Sequence, residues 1–94
     1  MRFEWDEGKN RINKVKHGVS FETAVHVFED PYHKTVLSGI ENGEYRWRTF
    51  GNVAGVVLIM VAHTFSETPD EEVVRIVSAR KATRKERALY EEVI

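Results

Sequence analysis

The stretch VVLIMVAHTFSETPDEEVVRIVSA (residues 56–79) holds two apolar segments separated by a polar one. The first, VVLIMVAHT (residues 56–64), is apolar on both faces of an extended chain, which is typical of a strand in the middle of a sheet. The second, VVRIVSA (residues 73–79), is rich in β-branched residues and predicts the last strand. The loop FSETPDE (residues 65–71) would join them. This pair of strands predicts the centre of a sheet.

Two more strands precede this pair and predict an antiparallel meander. KTVLS (residues 34–38) leads into the turn GIENG, where the Asn42-Gly43 pair is a strong hairpin signal. EYRWRTF (residues 44–50) follows and alternates its side chains between the two faces, with Arg46 and Arg48 on the same one. A second turn is expected at GNVAG, before the central strand.

The chain before these strands predicts a short strand and two helices. FEWD (residues 3–6) alternates apolar and acidic residues, and Asp6 is a plausible N-cap for the helix EGKNRINKVKH. Gly18 would end that helix in the left-handed conformation. Ser20 would cap a second helix, whose apolar residues follow the helical spacing i, i+3, i+4 and i+7: Phe21, Ala24, Val25 and Phe28.

A closing helix is predicted by the capping box TRKE (residues 83–86), with Leu89, Tyr90 and Val93 as its apolar contacts. The order of elements predicts an α+β fold. It would have an antiparallel sheet of about four strands, a short N-terminal strand, and helices packed on one face. A length of 94 residues predicts a single domain, residues 1–94.

Charge is unevenly distributed along a chain whose net charge is −1. Residues 8–20 carry four basic side chains and His17 but no acid, and residues 73–92 carry a second basic cluster. The members of this second cluster are Arg75, Arg80, Lys81, Arg84, Lys85 and Arg87. Segregated charge predicts a basic face on a nearly neutral protein, and such a face suits a negatively charged ligand.

Composition excludes several classes of protein. The chain has no cysteine, which rules out disulfides and thiolate chemistry and fits a reducing cytoplasm. Its longest apolar run, VAGVVLIMVA, is far shorter than the roughly 20 residues of a membrane span, and its charged start does not resemble a signal peptide. It has no metal-ligand spacing and no nucleotide-binding motif, so no cofactor and no metal are expected.

Four segments, which together cover nearly the whole chain, form a specific combination: FEWDEGKNRINKVKHGVSFETAVHVFEDP, EYRWRTFG, VAHT and VRIVSARKATRKERALYE. Together they resemble the BrnT family of small bacterial toxins. The resemblance implies a compact RelE-like fold and a ribonuclease that arrests translation. It also implies a cognate antitoxin with a ribbon-helix-helix DNA-binding part, which forms a heterotetrameric, operator-binding complex. The loop FSETPDEE (residues 65–72) is longer and more acidic than the family pattern, which would weaken phosphate attraction there.

Metal-independent RNA cleavage needs a base for the 2′-hydroxyl, an acid for the leaving 5′-oxygen and cations for the phosphate. Histidine suits the proton transfers and arginine suits phosphate binding. The candidate catalytic residues are Arg75, Arg80, His63, Arg46 and His17. Arg46 enters through the family pattern E.R....G, whose other members here are Glu44 and Gly51.

The candidate RNA-binding residues are Lys81, Lys16, Arg48 and Trp5. Each candidate also has a structural interpretation. The strand arginines could be solvated or form cross-strand ion pairs, His63 could bond a backbone carbonyl, and Trp5 could belong to the core. The sequence therefore leaves two functions open: a toxin endoribonuclease acting on RNA, or a non-catalytic module that binds RNA or the antitoxin through the same basic surface.

Overall fold

The structure, a computed structural model, describes residues 1–92, so Val93 lies outside the described residues. Within these described residues there are five strands, three α-helices and one 3₁₀ turn, which directly follows the second helix. In chain order they are β1 (Arg2–Glu4), α1 (Glu7–His17), α2 (Phe21–Val25), the 3₁₀ turn (His26–Glu29), β2 (Lys34–Glu41), β3 (Glu44–Val53), β4 (Val57–Glu67), β5 (Glu72–Lys81) and α3 (Arg84–Glu91).

The sheet has the strand order β1-β5-β4-β3-β2. Strands β2 to β5 form the expected antiparallel meander, and β1 adds to the far edge in parallel, with Glu4 opposite Arg75. The predicted α+β class is therefore confirmed. The parallel edge makes the sheet mixed, a feature that the strand patterns alone do not reveal.

Several local signals act as expected. Asp6 accepts a hydrogen bond from the Lys9 N–H at the start of α1, and Gly18 ends that helix with φ of 73°. Asn42 and Gly43 both have positive φ, 52° and 78°, as a tight hairpin turn of the mirror-image type requires. At the start of α3, the capping box of Thr83 and Glu86 is complete.

Two predicted loops are wrong in their bounds. The turn expected at residues 51–55 lies later, because β3 continues to Val53 and the positive φ values belong to Ala54 and Gly55. The loop expected at residues 65–71 shortens, because β4 continues to Glu67, where it still pairs with β5. The predicted second helix ends at Val25 and tightens into the 3₁₀ turn.

The hydrophobic core lies between the sheet and the first two helices. Its buried members come from the link between α1 and α2, from α2, from the 3₁₀ turn and from strands β4 and β5: Val19, Phe21, Ala24, Val27, Ile59, Val61, Val74, Ile76 and Ala79. Gly51 allows the 3₁₀ turn to approach β3 closely, since a Cβ at this position would lie 2.6 Å from the carbonyl oxygen of Val27.

Where β1 ends, the edge of β5 is hydrogen-bonded by Asn13, a buried side chain of α1. The Asn13 amide donates to the carbonyl of Ala79 (2.7 Å) and accepts from its N–H (3.2 Å), as a neighbouring strand would. The same amide donates to the carbonyl of Val19 (2.8 Å). Asn13 therefore satisfies backbone groups that would otherwise be buried and unpaired.

Helix α3 packs on the opposite face of the sheet from α1 and α2, so the expectation that all helices share one face is wrong. Lys34 on β2 binds the last carbonyls of α3, those of Leu89 (2.8 Å) and Glu92 (2.6 Å). Tyr90 donates to Asp30 (2.5 Å), which fixes the same end of α3. Within residues 1–92, no helix has the length and apolar character needed to cross a membrane.

Candidate functional site

Four arginines of the inner strands β3 and β5 lie on the sheet face that α3 partly covers, and Arg2 of the edge strand β1 points to the same side, where it binds Glu71 (2.8 Å). Arg46 and Arg48 belong to β3, and Arg75 and Arg80 belong to β5. The strand register places Arg75 opposite Thr64 and Arg80 opposite Met60 on β4, and residues that pair directly across a sheet point to the same side. We call this set of four residues and the surface around them the arginine face.

A bulge in β5 is what brings Arg75 and Arg80 to the same side. They are five positions apart, so strict alternation would send them to opposite faces. The register shifts between Ala62 and His63 of β4, which pair with Ser78 and Ile76, and Val77 is the extra residue. After this bulge the alternation is reversed, and Arg80 joins Arg75 on the arginine face.

Glu86 of α3 holds the covered half of the arginine face. Its carboxylate accepts two hydrogen bonds from Arg80, of 2.7 and 3.1 Å, and one from Arg48, of 3.2 Å. Glu86 is 8% exposed, and its carboxylate also accepts from the Thr83 N–H. Burial alone would raise the pKa of Glu86, but the hydrogen bonds and charge of Arg80 hold that pKa below its ordinary value.

The importance of Glu86 at the site is not apparent from sequence reasoning, which assigns it only to the capping box. One available signal is its position as the single acid within the basic run from Arg80 to Arg87. An acid in such a run can serve as a shared partner of arginines that the fold brings together. Together with Phe50, Leu89 and neighbouring residues, Glu86 and its two arginines line an open cleft of about 540 Å³.

Arg46 and Arg75 lie on the part of the face that α3 leaves uncovered. Arg75 approaches Glu4 at 3.5 Å and Arg46 approaches Glu41 at 3.7 Å, and both pairs are partly exposed. Ion pairs this long and this accessible to water are weak, so a phosphate can compete for both guanidinium groups. The Nε atoms of Arg46 and Arg48 are buried and have no hydrogen-bond partner within residues 1–92.

His63 lies on the other side of the sheet and is fully buried. Its Nε2 is 2.7 Å from the Thr49 hydroxyl, and its ring packs edge-on against Phe28 and Phe65. Burial lowers the pKa of His63 to about 4. The structure therefore does not bring His63 together with the arginines. Its neighbour Thr64 pairs with Arg75, and adjacent residues of a strand point to opposite sides of the sheet.

Two further candidates also lie away from the arginine face. Lys81 is opposite Ile59, on the side of the sheet that α1 and α2 cover, although it directly follows Arg80. Trp5 packs edge-on against the core residue Phe21, with ring centres 6.1 Å apart, and donates to Glu7. Lys81 points away from Arg80 because side chains alternate along a strand. Trp5 is held away from the arginine face by its packing against the core.

Lys16 and His17 lie at the margin of the arginine face. Both line a small cleft between the end of α1 and β5 that also includes Val77 and Ser78. Ser78 pairs with Ala62 and so points to the same side as Arg75 and Arg80. The basic end of α1 can thus extend the positive surface past the edge of the sheet. No group of three or more potential metal-binding side chains occurs within residues 1–92.

Comparison with known proteins gives a consistent result. The model of a family described as "Ribonuclease toxin, BrnT, of type II toxin-antitoxin system" matches residues 5–86. The fold is similar to the 1.1 Å crystal structure of the Brucella abortus ribonuclease toxin BrnT, with 26% identity and a TM-score of 0.67. That similarity covers 89% of this chain and 99% of the Brucella chain. A search of curated proteins found no match.

Proposed function

Because the chain belongs to the BrnT family of ribonuclease toxins from type II toxin–antitoxin systems, we propose that it is a metal-independent endoribonuclease that inhibits translation by cleaving RNA in the cytoplasm. The family implies an antitoxin partner. We propose that this antitoxin carries a ribbon-helix-helix DNA-binding part and that the complex is a heterotetramer that binds its operator.

The observation that carries this proposal is the convergence of four arginines on one sheet face. Cleavage by an internal 2′-hydroxyl passes through a phosphorus atom with five oxygens and extra negative charge, and fixed cations stabilise that state. Arg75 has the most exposed side chain of the four, and the carboxylate contacts of Arg46 and Arg75, at 3.7 and 3.5 Å, are longer than those of Arg48 and Arg80, so they can be exchanged for phosphate contacts. We assign phosphate binding to these two residues.

Arg80 and Arg48 form the second part of the proposed site, together with Glu86. Their shared carboxylate is buried, ionised and adjacent to the open cleft. In this arrangement Arg80 stabilises charge on the phosphate, and Glu86 fixes its guanidinium group in place. Lys16 and His17 would contact RNA beyond the β5 edge, where a bound strand would leave the arginine face.

A specific observation favours the second candidate function, a non-catalytic module that binds RNA or the antitoxin. The buried His63 is kept neutral on the opposite side of the sheet, so it cannot transfer protons to a ligand on the arginine face. A binding module needs the same guanidinium groups and no proton-transfer residue. An RNA-binding module and a ribonuclease therefore differ in cleavage, and a module that binds only the antitoxin would also lack affinity for RNA.

The test uses purified protein and bulk RNA in the presence of a chelator. Under the primary proposal the wild-type protein cuts RNA with the chelator present, and Arg75→Ala and Arg80→Ala each lower the rate strongly. Arg84→Ala is the matched control, because Arg84 is an exposed arginine on α3. If the wild type binds RNA but leaves it intact, the chain is a binding module. If the chelator stops the cutting, the metal-independent mechanism is wrong.

A further inference from the structure

Large apolar side chains are exposed on the side of the sheet opposite the arginine face. Leu37 pairs with Trp47, and Ile40 pairs with Tyr45, so these four share one side of β2 and β3. Phe65 joins them from β4, with its ring centre 5.9 Å from that of Trp47. We call these five residues the apolar patch.

The apolar patch is continuous and open to solvent. Four of its members expose large fractions of their surface: Leu37 53%, Ile40 66%, Tyr45 59% and Phe65 36%. The patch continues the sheet surface on which α1, α2 and the 3₁₀ turn pack, and His63 with Phe28 forms its inner border. A contiguous apolar surface of this kind typically marks a protein-binding site.

An acidic pair borders the apolar patch at the end of β4. Glu67 lies two positions after Phe65, on the same side, and pairs directly with Glu72 of β5. Like charges directly opposite each other in a sheet are destabilising, so a cation placed between them would be favourable. Asp70 in the adjoining turn adds to this negative end, whereas the neighbouring Glu71 is paired with Arg2 (2.8 Å). This turn is the acidic segment that departs from the family pattern.

The chemistry of this surface selects the kind of partner. Acids at its border repel RNA phosphates, so nucleic acid is a poor fit. An α-helix with one apolar stripe and lysine or arginine beside it would complement both parts, since apolar contacts would cover the patch and the cations would face Glu67 and Glu72. Such a helix would also continue the helical layer that already covers the rest of this sheet surface.

We propose that the apolar patch and the Glu67–Glu72 pair dock an amphipathic, basic-flanked helix of the antitoxin. The inference rests on the proposed function in one respect, namely that the partner is the antitoxin. The docking surface and the arginine face lie on opposite sides of the sheet. The patch is therefore an anchor for the complex, and changing it should weaken antitoxin binding while leaving RNA cleavage intact.

The experiment uses the full chain and the antitoxin produced from the gene that neighbours this one. Binding is measured by calorimetry for the wild type, Ile40→Lys, Tyr45→Lys and Glu67→Lys. Each variant should raise the dissociation constant about tenfold or more, as expected for a residue near the centre of an interface or for a reversed charge. The effect of Glu67→Lys should shrink as salt is raised, because salt screens exposed charges.

The matched control is Val56→Lys. Val56 is 78% exposed and lies in the β3–β4 turn, at the other end of the strands that carry the patch. This variant should bind the antitoxin like the wild type. RNA cleavage and thermal unfolding are measured for every variant, so that a folding defect is recognised and Ile40→Lys and Tyr45→Lys provide independent readings.

Three outcomes would overturn the docking proposal. The patch variants could bind the antitoxin as tightly as Val56→Lys does. The wild type could fail to bind it. Light scattering could reveal a dimer of this chain that Ile40→Lys dissociates while its antitoxin affinity is unchanged, which would assign the patch to a second copy. If instead the patch variants lose the antitoxin and the wild type never cuts RNA, the docking site stands and the ribonuclease proposal fails.

Discussion

The carboxylate of Glu86 binds the guanidinium group of Arg80 through two hydrogen bonds, of 2.7 and 3.1 Å, while its helix covers half of the arginine face. The same carboxylate completes the capping box of α3. One buried acid therefore starts the helix, positions it over the sheet and orients an arginine of the proposed site. Stability and function are coupled at this residue.

Replacing Glu86 by glutamine should lower the free energy of unfolding by about 1–2 kcal/mol at pH 7. Glutamine can keep the shape of the capping box but loses the charge, and charge-assisted hydrogen bonds are stronger than neutral ones. Because the pKa of Glu86 is lowered in the fold, its stabilising effect is present above the ordinary value of 4.5 and is lost as pH falls below it. Urea unfolding at pH 7 and at pH 3.5 measures both effects.

The matched control for that prediction is Glu91→Gln, an exposed acid on the same helix. It should leave the stability at pH 7 within about 0.5 kcal/mol of the wild type. Acid should destabilise the wild type more than Glu86→Gln. Equal sensitivity to acid in these two proteins would mean that the Glu86–Arg80 pair does not contribute to stability.

Arg46→Ala should reduce RNA cleavage by about 10²-fold, the usual loss when one group that stabilises transition-state charge is removed. Its only ion pair within residues 1–92 is the 3.7 Å contact with Glu41, so the free energy of unfolding should change little. Single-turnover rates on a defined RNA measure the effect. The control is Arg87→Ala, because Arg87 lies on the exposed side of α3, and this variant should cut at the wild-type rate. An equal loss of cleavage in this variant would mean that any arginine acts only by attracting RNA through its positive charge.

Local sequence signals predicted much of the fold because each acts within a few residues. Asp6, Gly18, the Asn42-Gly43 turn and the Thr83–Glu86 capping box all specify backbone geometry through their own side chains. Each is independent of distant contacts. This is why the order of the elements could be predicted from the sequence, together with the starts of α1 and α3.

The composition of the candidate site could be predicted only in part, because it depends on which way each side chain points. The bulge at Val77 decides that Arg75 and Arg80 share a face, and nothing in VVRIVSARK marks it. Neighbouring residues of a strand point to opposite sides of the sheet, so His63 points away from Arg75 while Thr64 points toward it. His63 is also fully buried on its side of the sheet. The side of the sheet that α3 covers depends on long-range contacts of Glu86 and Tyr90.

Gly51→Ala should destabilise the fold by about 1–3 kcal/mol, the usual cost of forcing extra volume into a packed interior. The added Cβ would lie 2.6 Å from the backbone oxygen of Val27, and a backbone atom cannot rotate away as a flexible side chain can. Thermal and urea unfolding measure the change.

The control substitution lies three residues further on and should act in the opposite direction. Ala54 has φ of 56°, a conformation that favours glycine, so Ala54→Gly should be neutral or stabilise the protein by up to about 1 kcal/mol. A tolerated Gly51→Ala would mean that the 3₁₀ turn can move away from β3.

His63 should make stability depend on pH in a defined window. Burial lowers its pKa from 6.5 to about 4, so between these values the unfolded chain binds a proton that the folded chain does not. The contribution of neutral His63 to the free energy of unfolding should therefore be fully present above pH 6.5, and that free energy should fall by up to about 3 kcal/mol as pH approaches 4. His63→Gln removes this titration, so urea unfolding at pH 7, 5.5 and 4.5 should give a flatter profile than the wild type.

The same variant tests the catalytic assignment made from sequence, since a residue buried beside Thr49 and Phe28 should not change the cleavage rate of folded protein. A large loss of cleavage in a fully folded His63→Gln protein would contradict this expectation and would support a role for His63 in the reaction.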